Sequence, residues 1–149
     1  IYDSSHRLRC GARILGLGGV AGDAFEGLKF GYTGYFHKVV LQQNCHAVSS
    51  KAMMVKRERF LQAGGFSQDV EDRLKDEDLC LKLETLGFQN IYEPGVFLVE
   101  QNYRGRKKKG SRPAAVFEKK WKDLLLEPDR FYNCNLSLDS PDFRIRETE

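Results

Sequence analysis

The chain has no run of about 18 apolar residues, which excludes a membrane-spanning helix from its sequence. Ile1 to Arg9 has no apolar core and so does not read as a signal peptide. Cys10, Cys45, Cys80 and Cys134 form no Cys-x-x-Cys pair and no Cys/His cluster, which argues against a zinc site. Isolated thiols of this kind suit a reduced, cytoplasmic protein better than a disulfide framework. Neither sign of charge dominates, since the net charge is only +3. The single basic run, residues 104–112, contains no aromatic to stack on a base, so no nucleic-acid partner is expected. Position 1 is Ile instead of Met, as expected of a fragment of a longer chain.

At 149 residues with 41% hydrophobic content, the sequence is long enough for one domain with a real core. It falls into three regions. Residues 1–46 are rich in glycine and aromatics, from Gly16, Gly18, Gly19 and Gly22 to Tyr32, Tyr35 and Phe36. They read as a strand entering a mobile glycine loop that lines a ligand cleft, where the aromatics either meet the ligand or pack beneath the loop. Residues 47–99 hold the regular core: a buried strand over 47–56, a helix over 57–63 stopped by Gly64-Gly65, a second helix over 78–86, and strand pieces at 89–92 and 96–99. Residues 100–149 comprise the basic loop, a helix over 114–126 with Phe117 and Trp121 on its core face, and an extended polar tail. His37 and His46 stand alone and read as surface or core polar groups.

The densest chemistry is Asp76-Glu77-Asp78 at the start of the second helix. Acidic side chains there suit the unpaired amides and the positive end of the helix dipole, so Asp76 or Asp78 is read as a cap. The alternative is that one carboxylate faces a cleft as a general base while another caps.

Taken in order, the segments Leu17 to Phe25, Gln43 to Ser49, Gly64-Gly65-Phe66, Asp76 to Leu83 with Gly87-Phe88, and Tyr132 to Phe143 resemble the C-terminal half of a family 2 glycosyltransferase. The nearest resemblance is to bacterial enzymes of cell-surface polysaccharide and O-antigen assembly. It implies a partial GT-A fold, α/β with a mixed sheet and flanking helices, lacking the N-terminal nucleotide-binding half. It also implies transfer, with inversion, of a sugar from a nucleotide-sugar donor to a glycan or lipid-linked acceptor. The setting would be the cytoplasm, with peripheral contact to the anionic inner face of the cell membrane. A divalent cation, magnesium or manganese, would be held mainly by the missing half.

By position in the family motif, Asp76 would be the base, Asp78 the cap, and Glu77 a group orienting the site or acceptor. Gly64, Gly65 and Phe66 would meet the acceptor. Arg104 and Arg106 would receive the diphosphate, for which a guanidinium fork is suited. Glu100 would be a metal ligand in place of the histidines usual in relatives, and Ser50 stands where a glycine is usual. The competing expectation is a non-catalytic module, derived from a transferase, that binds glycan or an anionic surface through residues 104–112.

Overall fold

The computed structural model describes residues 1–101 and 114–147. The basic loop, with Arg104 and Arg106, lies outside the described residues. The architecture is mixed α/β, with short strands gathered into small sheets. Strands β1 (Tyr2–Asp3), β2 (Ala12–Leu15), β3 (Ala21–Asp23), β4 (Gln43–Cys45) and β5 (Ala47–Val48) come first. Helices α1 (Arg57–Gln62) and α2 (Lys75–Thr85) follow, then β6 (Asn90–Tyr92), β7 (Val99–Glu100), α3 (Ala115–Lys120) and α4 (Lys122–Leu126). Among the described residues the ladders are a three-stranded antiparallel sheet in the order β3-β2-β5, an antiparallel pair β4-β6, and a parallel pair β1-β7. No described helix is long and apolar enough to cross a membrane.

Strand β2 organises the core because its side chains alternate between faces. Ile14 joins one buried cluster with Leu8, Phe25, Val39, Tyr132 and Phe143. Leu15 joins another with Val70, Leu74, Leu81 and Phe117. Arg13 shares the Leu15 face and therefore points toward α2. That helix is buried on several sides, with Glu77 to Leu81 all inaccessible to solvent.

Several expectations change, among them the strand expected over 96–99, which is found only at Val99–Glu100. The glycine stretch is an ordered hairpin: Arg13 pairs with Asp23, and the Gly16 amide donates to the Val20 carbonyl at 2.8 Å. Gly19 at φ +115 turns that hairpin in a region closed to most side chains. The 47–56 strand ends at Val48, because Ser49 accepts the Lys51 amide and starts a 3₁₀ turn over Ser50–Ala52. Helix α2 begins three residues before the expected start, since a 3₁₀ turn over Asp72–Leu74 runs directly into it. The long C-terminal helix is broken at Trp121 into α3 and α4.

The tail is polar in composition but packs as core. Phe143 stacks on Phe25 with centroids 4.1 Å apart and planes 4° from parallel. The Tyr132 hydroxyl donates to the Ser137 carbonyl at 2.7 Å, and the Phe25 amide donates to the Pro141 carbonyl at 2.9 Å. The aromatics near the hairpin divide accordingly. Tyr35 packs against the Phe143 ring, whereas Tyr32 and Phe36 are exposed.

Phe117 is 0% exposed at the centre of the second cluster. Phe117→Ala is expected to cost about 3–5 kcal/mol, read by urea denaturation. Leu126→Ala, at an exposed position on α4, should stay within about 0.5 kcal/mol of the parent.

Candidate functional site

Asp76, Glu77 and Asp78 follow one another on α2, so each is rotated about 100° from the last and meets a different neighbour. Neither end residue is a cap. The helix begins after Leu74 with no side-chain capping bond, which corrects the expectation for Asp78.

Glu77 points at β2 and is fully buried. The Arg13 guanidinium donates to its Oε1 at 2.5 Å, and Arg13 Nε lies 3.5 Å from Asp23 Oδ1 on β3. Burial by itself would lower the Arg13 pKa, but Asp23, Glu77 and Asp76 outweigh it and keep the guanidinium firmly charged. Burial raises the Glu77 carboxyl, and Arg13 offsets only part of that rise because one cation serves several carboxylates.

Asp78 faces α3 and α4 and is also fully buried. Trp121 Nε1–H donates to its Oδ1 at 2.9 Å, and the Ser67 hydroxyl donates to its Oδ2 at 2.6 Å. Lys120 and Lys82 complete the surround at 2.6 and 3.3 Å. Burial works against ionisation, yet the bonds from Lys120, Ser67 and Trp121 prevail and hold this carboxyl below the usual carboxylate range. Trp121, read from sequence as core, is therefore also a donor.

Asp76 is only half-buried. Its Oδ2 accepts the Ser50 amide at 3.0 Å and the Ser49 hydroxyl at 3.4 Å. No hydrogen bond from a described residue engages its Oδ1. The arrangement fixes the direction of one oxygen and leaves the other without a donor among the described residues. Ser50, at the position where the resemblance expects glycine, contributes through its backbone, so the side chain does not disturb this contact.

Gly64 and Gly65 end α1 in left-handed conformations, φ +76 and +63, and the Gly65 amide donates back to the Phe60 carbonyl. The same turn touches the Asp78 cluster: Lys82 Nζ donates to the Gly65 carbonyl at 2.5 Å and to the Ser67 hydroxyl at 3.0 Å. Phe66 rests edge-on against Phe60 and stays partly exposed. Gly64 to Phe66 are thus brought near Asp78 through Lys82 and Ser67.

Glu100 binds Lys51 through both oxygens, at 2.8 and 3.0 Å. Among the described residues no group of three His, Cys, Asp or Glu side chains converges to hold a metal ion. The described donor set does not fit a divalent cation at Glu100. His46 is buried, with Nδ1 3.0 Å from Glu84 Oε2 and Nε2 3.7 Å from Asp129 Oδ1. His37 is exposed. The four cysteines are free, and burial pushes Cys45 and Cys80 up to about 12, which makes both inert as nucleophiles.

Sequence reasoning missed Arg13, Ser49, Lys82 and Lys120. Arg13 had a signal: it is the one charge within Gly11 to Leu17, where a buried cation needs a partner. Lys82 had one too, its i,i+4 spacing from Asp78 on the same helix, whereas Lys120 had none, because α3 meets α2 only through the fold.

Arg13→Met is expected to cost about 3–5 kcal/mol by leaving Glu77 buried without a counter-charge. Adding Glu77→Leu should recover much of that loss, measured by denaturant unfolding of both variants. For Asp78 the folded pKa lies below the unfolded one, so its contribution is full above about pH 4 and fades as pH falls below that. Asp78→Asn should therefore destabilise at pH 7 and flatten the acid limb of the stability profile.

No family model matches the chain, and no solved structure matches it. It is similar to the uncharacterized protein y4gI of Sinorhizobium fredii (strain NBRC 101917 / NGR234), with 31% identity over 152 residues. The alignment takes in 96% of this chain and 17% of that protein, so the chain spans about a sixth of the relative's length.

Proposed function

We propose that the chain is the acceptor-side, base-bearing part of an inverting glycosyltransferase that draws on a nucleotide-sugar donor and serves cell-surface polysaccharide assembly. The reading comes from the sequence resemblance, including its partial GT-A fold. The observation that carries it furthest is the division of labour among three adjacent carboxylates. Glu77 is neutralised by Arg13 and Asp78 by Lys82 and Lys120. Asp76 is the half-buried one of the three, and its Oδ1 takes no hydrogen bond from a described residue while Ser49 and Ser50 fix its direction; Glu77 Oε2 also has no partner among the described residues but is sealed in the core. That is what a general base needs: an acceptor within hydrogen-bond reach of a hydroxyl, on a rigid element.

In this mechanism the acceptor hydroxyl donates to Asp76 Oδ1, and its oxygen attacks the anomeric carbon from the face opposite the nucleotide diphosphate. The new glycosidic bond forms as the bond to the diphosphate breaks. The proton ends on Asp76, and the leaving group departs with its negative charge. A divalent cation would stabilise that charge in the intact enzyme, and the described residues of this chain do not provide its ligands. Glu77 and Arg13 act at one remove, holding α2 so that Asp76 meets the end of β5. The turn at Gly64 to Phe66 is tied through Lys82 and Ser67 to Asp78, about 200° around α2 from Asp76, so its part in holding the acceptor rests on the resemblance alone.

Asp76→Asn is expected to lower turnover of the intact enzyme by about 10²–10⁴ while leaving donor affinity and the melting temperature close to the parent's. Asn keeps an oxygen to accept from Ser50 but cannot take the proton. A screen of nucleotide sugars, read by release of nucleoside diphosphate, supplies the assay. A variant that keeps full turnover would end the case for Asp76 as base, and the non-catalytic binding module would then be the better reading.

A further inference from the structure

Glu100 is the residue at which the resemblance places a divalent cation, and the structure puts a different cation there. Lys51 Nζ donates to both of its oxygens, at 2.8 and 3.0 Å. The two residues before it, Leu98 and Val99, carry no ligating side chain. A divalent ion at this carboxylate would stand in contact range of a second cation, so it could bind only by expelling Lys51. The donor set at Glu100 is therefore that of an internal ammonium. Such a group has three N–H donors, and Glu100 takes two. No other described residue accepts from Nζ, and the Lys51 side chain is 47% exposed, which leaves one donor for a ligand.

The ammonium is carried by the turn that orients the candidate base. Ser49, Ser50 and Lys51 are consecutive. The Ser49 hydroxyl and the Ser50 amide both donate to Asp76 Oδ2, and Ser49 Oγ accepts the Lys51 amide at 3.4 Å. The bond to Glu100 ties that turn to β7 and, through the β1-β7 ladder, to the first strand. Other cations near the three acids are committed elsewhere. Arg13 is buried between Asp23 and Glu77, Lys82 and Lys120 face Asp78, and Lys75 turns to Asp72 at 2.8 Å. Lys51 is thus an exposed cation on the Asp76 side of α2 with a donor to spare, and Glu100 keeps its side chain in place.

We propose that Lys51 is a phosphate-binding residue beside Asp76: its ammonium, held by Glu100, receives an oxygen of the departing diphosphate with no metal ion at Glu100. Lysine suits this task as a compact point charge on a flexible stem. Base and leaving group flank the anomeric carbon in an in-line displacement, and the long lysine stem sets its charge apart from Asp76 while keeping both on one side of the helix. Negative charge gathers on the diphosphate as the bond breaks, and a cation already in place stabilises it there. Glu100 acts as a positioning residue. It holds the ammonium when no ligand is bound and, by competing for it, loosens the grip on phosphate and favours product release. The inference rests on the proposed function in naming the phosphate as that of a nucleoside diphosphate; the Lys51–Glu100 pair itself is argued from geometry.

The test follows the ε-carbon NMR resonance of Lys51 in chain labelled with carbon-13 lysine, assigned by its loss in Lys51→Met. Inorganic pyrophosphate is titrated in the presence of EDTA. The expected result is a saturable shift of that resonance with no divalent cation present. Glu100→Gln should tighten pyrophosphate binding by about two- to fivefold, the scale of an exposed ion pair, because it frees the ammonium from its carboxylate. A metal held at Glu100 requires the opposite sign: binding would need magnesium and would weaken in Glu100→Gln. Either of those results, or a Lys51 resonance that stays still throughout the titration, would overturn the proposal. Phosphatidylglycerol vesicles replace pyrophosphate in a second arm, and a shift there alone would overturn the diphosphate assignment in favour of a lipid headgroup. Both side chains are exposed, so neither substitution is expected to unfold the chain. The resonance reads binding and not turnover, and Asp76→Asn should leave its shift in place, so failure here is distinguishable from failure of Asp76 as base.

Discussion

The buried guanidinium of Arg13 is the constraint on which the candidate site depends. It stands on β2, between Asp23 on β3 and Glu77 on α2, and thereby fixes the central helix against the hairpin. Burying that charge is unfavourable unless partners surround it, and the partners come from elements 10 and 64 residues away in sequence. Once α2 is held by Glu77, its neighbours have no freedom of direction. A rotation of about 100° per residue sends Asp78 to the α3-α4 side and Asp76 toward the end of β5.

The Asp78 cluster serves as the second clamp. A carboxylate with two lysines, a serine and an indole around it ties α2 to the turn after α1 and to the break between α3 and α4. Its energetic sense is opposite to that of Glu77. Asp78 is stabilised as an anion by abundant donors, whereas Glu77 shares one cation with Asp23 and is held closer to neutrality. Three consecutive acids thus meet three different surroundings, and the half-buried one keeps an oxygen to which no described residue donates. A third set of contacts closes the other side of the helix. Asn90 donates to the carbonyls of both His46 and Cys80, joining β6 to α2.

Much of the fold was legible. The Gly64-Gly65 stop after α1 was read from sequence, as were the helix at α2, the strand at β6 with its break at Pro94-Gly95, and the core role of Phe117. These are local signals: apolar periodicity and residues that favour or forbid particular backbone angles. The misreadings came where long-range contacts override local chemistry. Tyr132, Leu136 and Phe143 are scattered through a polar tail without helical period, yet they complete the first core because the Pro141 and Leu138 carbonyls pin that tail to Phe25 and the hairpin. The strand over 47–56 stops early because Ser49 turns the chain through its own hydroxyl, a competition that composition does not reveal.

The sequence by itself determined that an acidic helix start follows Gly64-Gly65-Phe66, that these lie in one chain with isolated thiols, and that no long apolar helix interrupts it. It determined which residues were candidates. It did not determine which of Asp76, Glu77 and Asp78 was available, because availability needs both access to solvent and an oxygen without a competing donor. Those donors, Arg13, Lys82, Lys120, Ser67 and Trp121, are distributed from one end of the chain to the other. Lys82 meets Asp78 through helix spacing, but only tertiary packing brings the others within 2.5–2.9 Å of a carboxylate, and only there does the difference between a neutralised, a clamped and an open acid come into being.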